Sequence, residues 1–215
     1  MQKIQNSRVT LDALLPKTPY LLSTLPSLFI SHGAPTIAID NNRTTQALNK
    51  IGQNLPKPRL IVIMSAHWQS QHLEINANPA PATWHDFNGF PRELYQIDYP
   101  AKSEPDVAES LAHQLQHLGI QASVNRLRPF DHGVWTPLMH LYPQADVPIV
   151  QISLPYHFDS YACYQLGAMF ASLRAEQVLI IGSGSVTHNL QRVKFGSEAI
   201  DESAREFKHW LINQL

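Results

Sequence analysis

Four short apolar runs punctuate the chain: SLFIS at 27–31, LIVIMSA at 60–66, VPIVQISL at 147–154 and QVLIIGS at 177–183. Each is dense in Ile, Val and Leu and short, a pattern that fits strands covered on both faces. Between them the apolar spacing changes. TTQALNKIG (44–52), SEPDVAESLAHQLQHLG (103–119), VWTPLMHLY (134–142) and DSYACYQLGAMFASLR (159–174) read as helices. In the second of these, Val107, Leu111, Leu115 and Leu118 form one face, Ser103 stands at the N-cap position and Gly119 at the C-terminal end. The segment 197–215 is amphipathic, with Ala204, Phe207, Trp210 and Leu211 together. Alternation of this kind predicts a single α/β domain over 26–215, with a central mixed or largely parallel sheet flanked by helices. Residues 1–25 read as an irregular N-terminal leader that packs on the surface. In such folds ligands collect beyond the carboxyl ends of the strands.

Composition narrows the function classes. The 215 residues suffice for one large domain, and 44% are apolar, enough for a substantial core. With 16 Lys plus Arg against 17 Asp plus Glu, the net charge of −1 argues against a basic nucleic-acid surface. No apolar stretch approaches the ~20 residues of a membrane span. The N-terminus lacks a compact apolar region followed by a small-residue cleavage site, so a cytoplasmic location is expected. Cys163 is the single cysteine, which excludes an intrachain disulfide. It shares a helical face with Leu166, Phe170 and Leu173 and reads as a small buried hydrophobe rather than a nucleophile.

The 11 histidines are unusual, and their placement matters more than their number. His32 directly follows SLFIS and precedes Gly33. His67 ends LIVIMSAHW in the same manner, His188 lies on the glycine-rich turn after VLIIGSGSVTHNL, and His132 sits directly before a helix in RPFDHGVWTP. All four fall on one edge of the expected sheet. Imidazoles from separate strands can converge on an ion without any short motif. For each one alone, a loop histidine bonded to backbone is an equal alternative; for His32 and His67 together that alternative weakens, because they share the strand-end pattern. His113 and His117 have the helical spacing of zinc ligands but lie opposite the apolar face, without the Glu of H-E-x-x-H. His85 belongs to ATWHDFNGFPRELYQIDYPA (82–101), a loop long and aromatic enough to wall a pocket. Gly182 and Gly184 start a G-x-G-x-x-G pattern that Thr187 interrupts, which excludes a dinucleotide loop.

The motifs SHGAP, SAHW, HDFNGFPRELYQIDYPA, FDHGVWTPL and GSGSVTHNL occur in the order found in extradiol ring-cleavage dioxygenases of the DOPA 4,5-dioxygenase type. These are relatives of the catalytic subunit of protocatechuate 4,5-dioxygenase. The resemblance runs from about Leu28 to the final helix. It implies an α/β catalytic domain with a mononuclear non-haem iron(II) site, sometimes occupied by zinc(II). It also implies His32, His67 and His188 at the metal, with His188 as acid or base and His132 assisting on the oxygen side. The implied reaction inserts both atoms of O₂ into a small catechol and opens the ring beside the diol. Few Lys or Arg residues flank the motifs, so a substrate carboxylate is not indicated; Arg92 and Arg128 are the candidates for meeting one, and His85 with Arg92 is expected near the substrate.

Members of that family continue past this point into a segment with an E-H-x-x-P-like motif that supplies a further ligand. Residues 190–215 contain no such motif. A sheet without that segment would expose an edge and apolar surface, which favours a homo-oligomer. A non-catalytic metal- or ligand-binding protein of the same fold is the second reading, and a zinc-dependent hydrolase, which would call for aspartates at the strand ends, the third.

Overall fold

In the computed structural model, residues 8–11, 13–15, 24–192 and 200–214 are described. They fall into two units, 1–184 and 185–215, each treated by itself. The first carries a six-stranded sheet built from β1 (Ser27–Ser31), β2 (Leu60–Ser70), β3 (Leu73–Asn76), β4 (Ala122–Asn125), β5 (Ile149–Pro155) and β6 (Val178–Gly184). The order is β1-β6-β2-β5-β3-β4, and only the β3–β5 pairing is antiparallel. The expected α/β fold with a mixed, largely parallel sheet is therefore present. The four apolar runs are the four contiguous strands β1, β6, β2 and β5. Leu60 and Val62 join one buried cluster while Ile61 and Ile63 join the other, so the central strand is covered on both faces.

Helix α1 (Arg43–Asn54) is capped by Asn42, whose side chain accepts from the Thr44 and Thr45 amides, and the Asn42 amide donates back to Thr45. Helix α2 (Pro105–His117) starts later than its N-cap signal predicts. Pro105 is at the first helical position, and Ser103 Oγ donates instead to the Asn76 carbonyl at 3.2 Å. Helix α3 (His132–Leu141) begins two residues earlier than its apolar pattern and carries Pro137 inside it. Helix α4 (Ser160–Phe170) covers the first cluster through Leu166, Met169 and Phe170.

The described part of the leader is irregular, yet Val9 and Leu11 are fully buried. Val9 donates its amide to the Met169 carbonyl, and Ser172 Oγ donates to the Val9 carbonyl. In the second unit, α5 (Glu202–Ile212) is capped by Asp201, which also pairs with Arg192 at 2.7 Å. Phe207 and Trp210 stack on this helix with ring centroids 5.5 Å apart. Among the described residues no helix is long and apolar enough to cross a membrane.

Two buried phenols lie in the core beside α3. Tyr99 donates its hydroxyl to the Tyr142 carbonyl at 2.9 Å, whereas the buried Tyr142 hydroxyl has no partner among the described residues. Tyr142→Phe is therefore expected to leave stability unchanged or raise it, and Tyr99→Phe to cost about 1 kcal/mol. Burial pushes the Tyr142 phenol up to about 12 from an ordinary 10. The neutral ring is thus favoured in the fold, and its contribution is complete below about pH 10. That contribution is lost as the pH climbs from there through 12. Urea midpoints measured across this range should fall less steeply in Tyr142→Phe than in the unaltered protein.

Candidate metal centre

His32 leaves β1 while its amide still donates to the Gly184 carbonyl at 3.0 Å, so its backbone remains tied to β6. The chain then turns at Gly33, where φ is +67°, a conformation that favours glycine. The ring is 4% exposed. Its Nδ1 lies 2.9 Å from Ser183 Oγ, and the Ser183 hydroxyl proton is committed to the Gly133 carbonyl at 2.5 Å. Ser183 can therefore only accept from His32, which places the imidazole proton on Nδ1 and makes Nε2 the acceptor nitrogen. The availability of that carbonyl has its own cause. Pro137 stands four residues beyond Gly133 and has no N–H to give it, so the helix leaves the acceptor for Ser183.

His67 sits on an irregularity of β2. Met64 pairs with Ile152, and the next pair along is Gln69 with Leu154, so the intervening residues of β2 bulge away from β5. The bulge carries the His67 ring to His32, with the two Nε2 atoms 3.1 Å apart. Since His32 Nε2 is the acceptor of that contact, His67 Nε2 is the donor. The His67 peptide is held by side chains: its amide donates to Ser65 Oγ at 3.2 Å, and its carbonyl accepts from Arg128 Nη2 at 3.3 Å.

His132 opens α3. Its amide and its Nδ1 both donate to Asp86 Oδ1, at 2.9 and 2.8 Å, which fixes the proton on Nδ1 and turns Nε2 toward the other two rings. Burial alone would raise the Asp86 carboxyl, but the hydrogen bonds from the His132 ring and backbone, with its charge, outweigh that and hold it below the usual carboxylate value. The ring centroids are 5.1 Å for His32–His67, 4.0 Å for His67–His132 and 5.4 Å for His32–His132. One ligand nitrogen from each histidine lies within 4.8 Å of the others.

This donor set fits a divalent metal. Two imidazole nitrogens each ~2.1 Å from one ion stand roughly 3.0–3.4 Å apart at right-angled to tetrahedral bond angles, and His32 and His67 already have that separation. The Ser183 hydroxyl and the Asp86 carboxylate on the remote nitrogens of His32 and His132 are the partners that orient metal-ligating rings.

Of the other residues picked from the sequence, His85 bonds through Nε2 to the Ile97 carbonyl at 3.1 Å and packs against Phe87, Tyr95 and Trp135. Phe87 in turn meets the His132 ring edge-on at 5.8 Å. Arg92 is exposed in a 3-10 turn, Arg92–Gln96. Arg128 is committed elsewhere: its Nη2 bonds Asp131 at 3.1 Å, and its guanidinium lies 4.9 Å from Trp68 and 4.8 Å from Trp84. His113 and His117 are exposed on α2, as their face predicts. Cys163 is only half-buried, and burial raises its thiol pKa, which disfavours a nucleophile. His188 belongs to the second unit. The sequence reading passed over Asp86, Ser183, Ser65, Asp131 and Gly133, whose parts depend on residues distant in the chain.

Residues 20–215 match the family described as the catalytic LigB subunit of aromatic ring-opening dioxygenase. A protein of Escherichia coli K12 named 4,5-DOPA dioxygenase extradiol is 37% identical over 175 residues, covering 81% of this chain and 64% of its own. One of the same name from Beta vulgaris is 37% identical over 193 residues, covering 88% of this chain and 72% of its own. The crystal structure of an uncharacterized E. coli K12 protein superposes with a TM-score of 0.73 at 31% identity, covering 88% of this chain and 72% of that one. The chain thus spans roughly two-thirds of the length of the relatives it matches.

Proposed function

The chain belongs to the family of the catalytic LigB subunit of aromatic ring-opening dioxygenases, and from that membership we propose that it is an extradiol dioxygenase acting on a small, DOPA-like catechol. The observation that carries this reading is the pair formed by the buried His32 ring and the solvent-facing His67 ring, whose Nε2 atoms stand 3.1 Å apart. His32 and His67 would hold the metal, and His188 is the third ligand that the family resemblance implies. Iron(II) is the ion the reaction calls for, because it supplies open positions where a catecholate and O₂ meet.

The remaining work falls to the protein. Ser183 keeps the His32 proton on Nδ1, so Nε2 is ready to ligate without a tautomer change. Asp86 does the same for His132, whose Nε2 is aimed into the cluster to hydrogen-bond on the oxygen side. His188 is proposed to take the phenolic proton as the diol binds, a task suited to imidazole near neutral pH. Phe87 meets His132 edge-on and is backed by Tyr95 and the buried Trp135, which makes it the ring suited to wall a flat aromatic substrate. Arg92 lies on the same loop and is the proposed cation for a substrate carboxylate. A cytoplasmic setting goes with this reading.

Anaerobic loading with iron(II), followed by oxygen uptake with DOPA and simpler catechols, tests the proposal. Catechol-dependent uptake supports it, and metal binding without uptake would contradict it. Asp86→Asn is expected to lower turnover by about 10–100-fold while the His32–His67 pair retains iron. Parallel measurements of metal content and turnover check that split.

A further inference from the structure

The bulge that delivers His67 removes its peptide from the β2–β5 ladder, and released backbone groups need partners. Two partners of this peptide converge on one carboxylate. Ser65 Oγ accepts from the His67 amide and donates to Asp131 Oδ1 at 2.6 Å. Arg128 Nη2 donates to the His67 carbonyl and to Asp131 Oδ2. Gln151 Nε2 adds a third bond to Asp131 at 2.5 Å. Asp131 is 0% exposed and directly precedes His132, and its carbonyl accepts from the Val134 and Trp135 amides at the start of α3.

We propose that Asp131 is a positioning residue for the metal centre, fixing the His67 bulge to the N-terminus of α3 so that His67 and His132 keep their mutual spacing. This rests on the proposed function, in which His32 and His67 hold the metal and His132 works next to it. The carboxylate grips β2 through Ser65 and Arg128 and β5 through Gln151, while its own backbone starts the helix that carries His132. Arg128 extends the grip to the neighbouring loop, because its guanidinium lies between Trp68 on β2 and Trp84. Trp84 bonds α3 through its carbonyl, which accepts from Trp135 Nε1 at 3.0 Å, and it is two residues from Asp86. One buried ion pair thus ties together the strand, the helix and the loop that supply His67, His132 and the carboxylate partner of His132.

The test is zinc(II) affinity, used as a redox-silent probe and measured by chelator competition on the full chain. Asp131→Asn is expected to weaken binding by about 10–100-fold, and Ser65→Ala, which cuts one arm only, by a smaller factor. Leu111→Ala in α2 removes core packing remote from the network and should lower the urea midpoint without moving zinc affinity. That control separates positioning from general destabilisation. Should Asp131→Asn fail to fold, Ser65→Ala decides alone. Wild-type affinity in the folded variants would overturn the proposal. If the unaltered protein binds no zinc, the metal-site reading itself is wrong, a result distinct from a site that binds but ignores Asp131.

Discussion

His32→Ala is expected to abolish metal retention and turnover together. The ring is one half of the 3.1 Å nitrogen pair, and its Nε2 lone pair is fixed by the Ser183–Gly133 relay. Removal takes the opposing nitrogen away from His67 and deletes a ligand held by hydrogen bonds within a buried setting. Loss of a partner that merely orients a ligand costs about 10–100-fold in affinity, and loss of the ligand itself should exceed that. Metal content after dialysis and oxygen uptake should both drop to background. The fold should persist, because the His32 amide still pairs with Gly184. Near-wild-type metal content in a folded His32→Ala protein would remove His32 from the site.

Gly133→Ala should damage the fold and the histidine cluster together. A Cβ at this position would stand 2.4 Å from Ser65 Oγ, 3.0 Å from His67 Cδ2 and 3.1 Å from Asp131 Oδ1. Each of those atoms is already held, so none can move without breaking a bond that positions a histidine. Overpacking of a tight core costs about 1–3 kcal/mol. Here the displaced atoms belong to the site, so metal affinity should fall along with the urea midpoint. A variant that loses stability but binds metal normally would show that the Ser65–His67 geometry is not needed.

The sheet was largely legible, and the reason is physical. β2, β5 and β6 are covered on both faces along most of their length and therefore read as continuous apolar runs, while β1, at the sheet edge with Phe29 exposed, reads the same way from its apolar residues alone. β3 and β4 are four residues long, and strands that short leave no period to read. The bulge in β2 was hidden because Ser65 to Trp68 look like a strand simply ending. His32 and His67 were visible as histidines at the ends of apolar runs, although β2 continues past His67 to Ser70. Their control was not, since Asp86 lies 46 positions from His132 and Ser183 lies 151 from His32. Pro137 was readable only as an oddity inside a helix, and its consequence for Ser183 emerges once Gly133 and β6 are adjacent. Arg128 looked like a free cation because nothing in the sequence brings Trp68, Trp84 and Asp131 to it.

The most direct measurement is mass spectrometry of the product formed from DOPA by the iron(II)-loaded chain under heavy-oxygen gas. A ring-opened product carrying both atoms of one heavy O₂ is the result an extradiol dioxygenase gives. A product with an intact ring, or one carrying no heavy oxygen, would contradict the account.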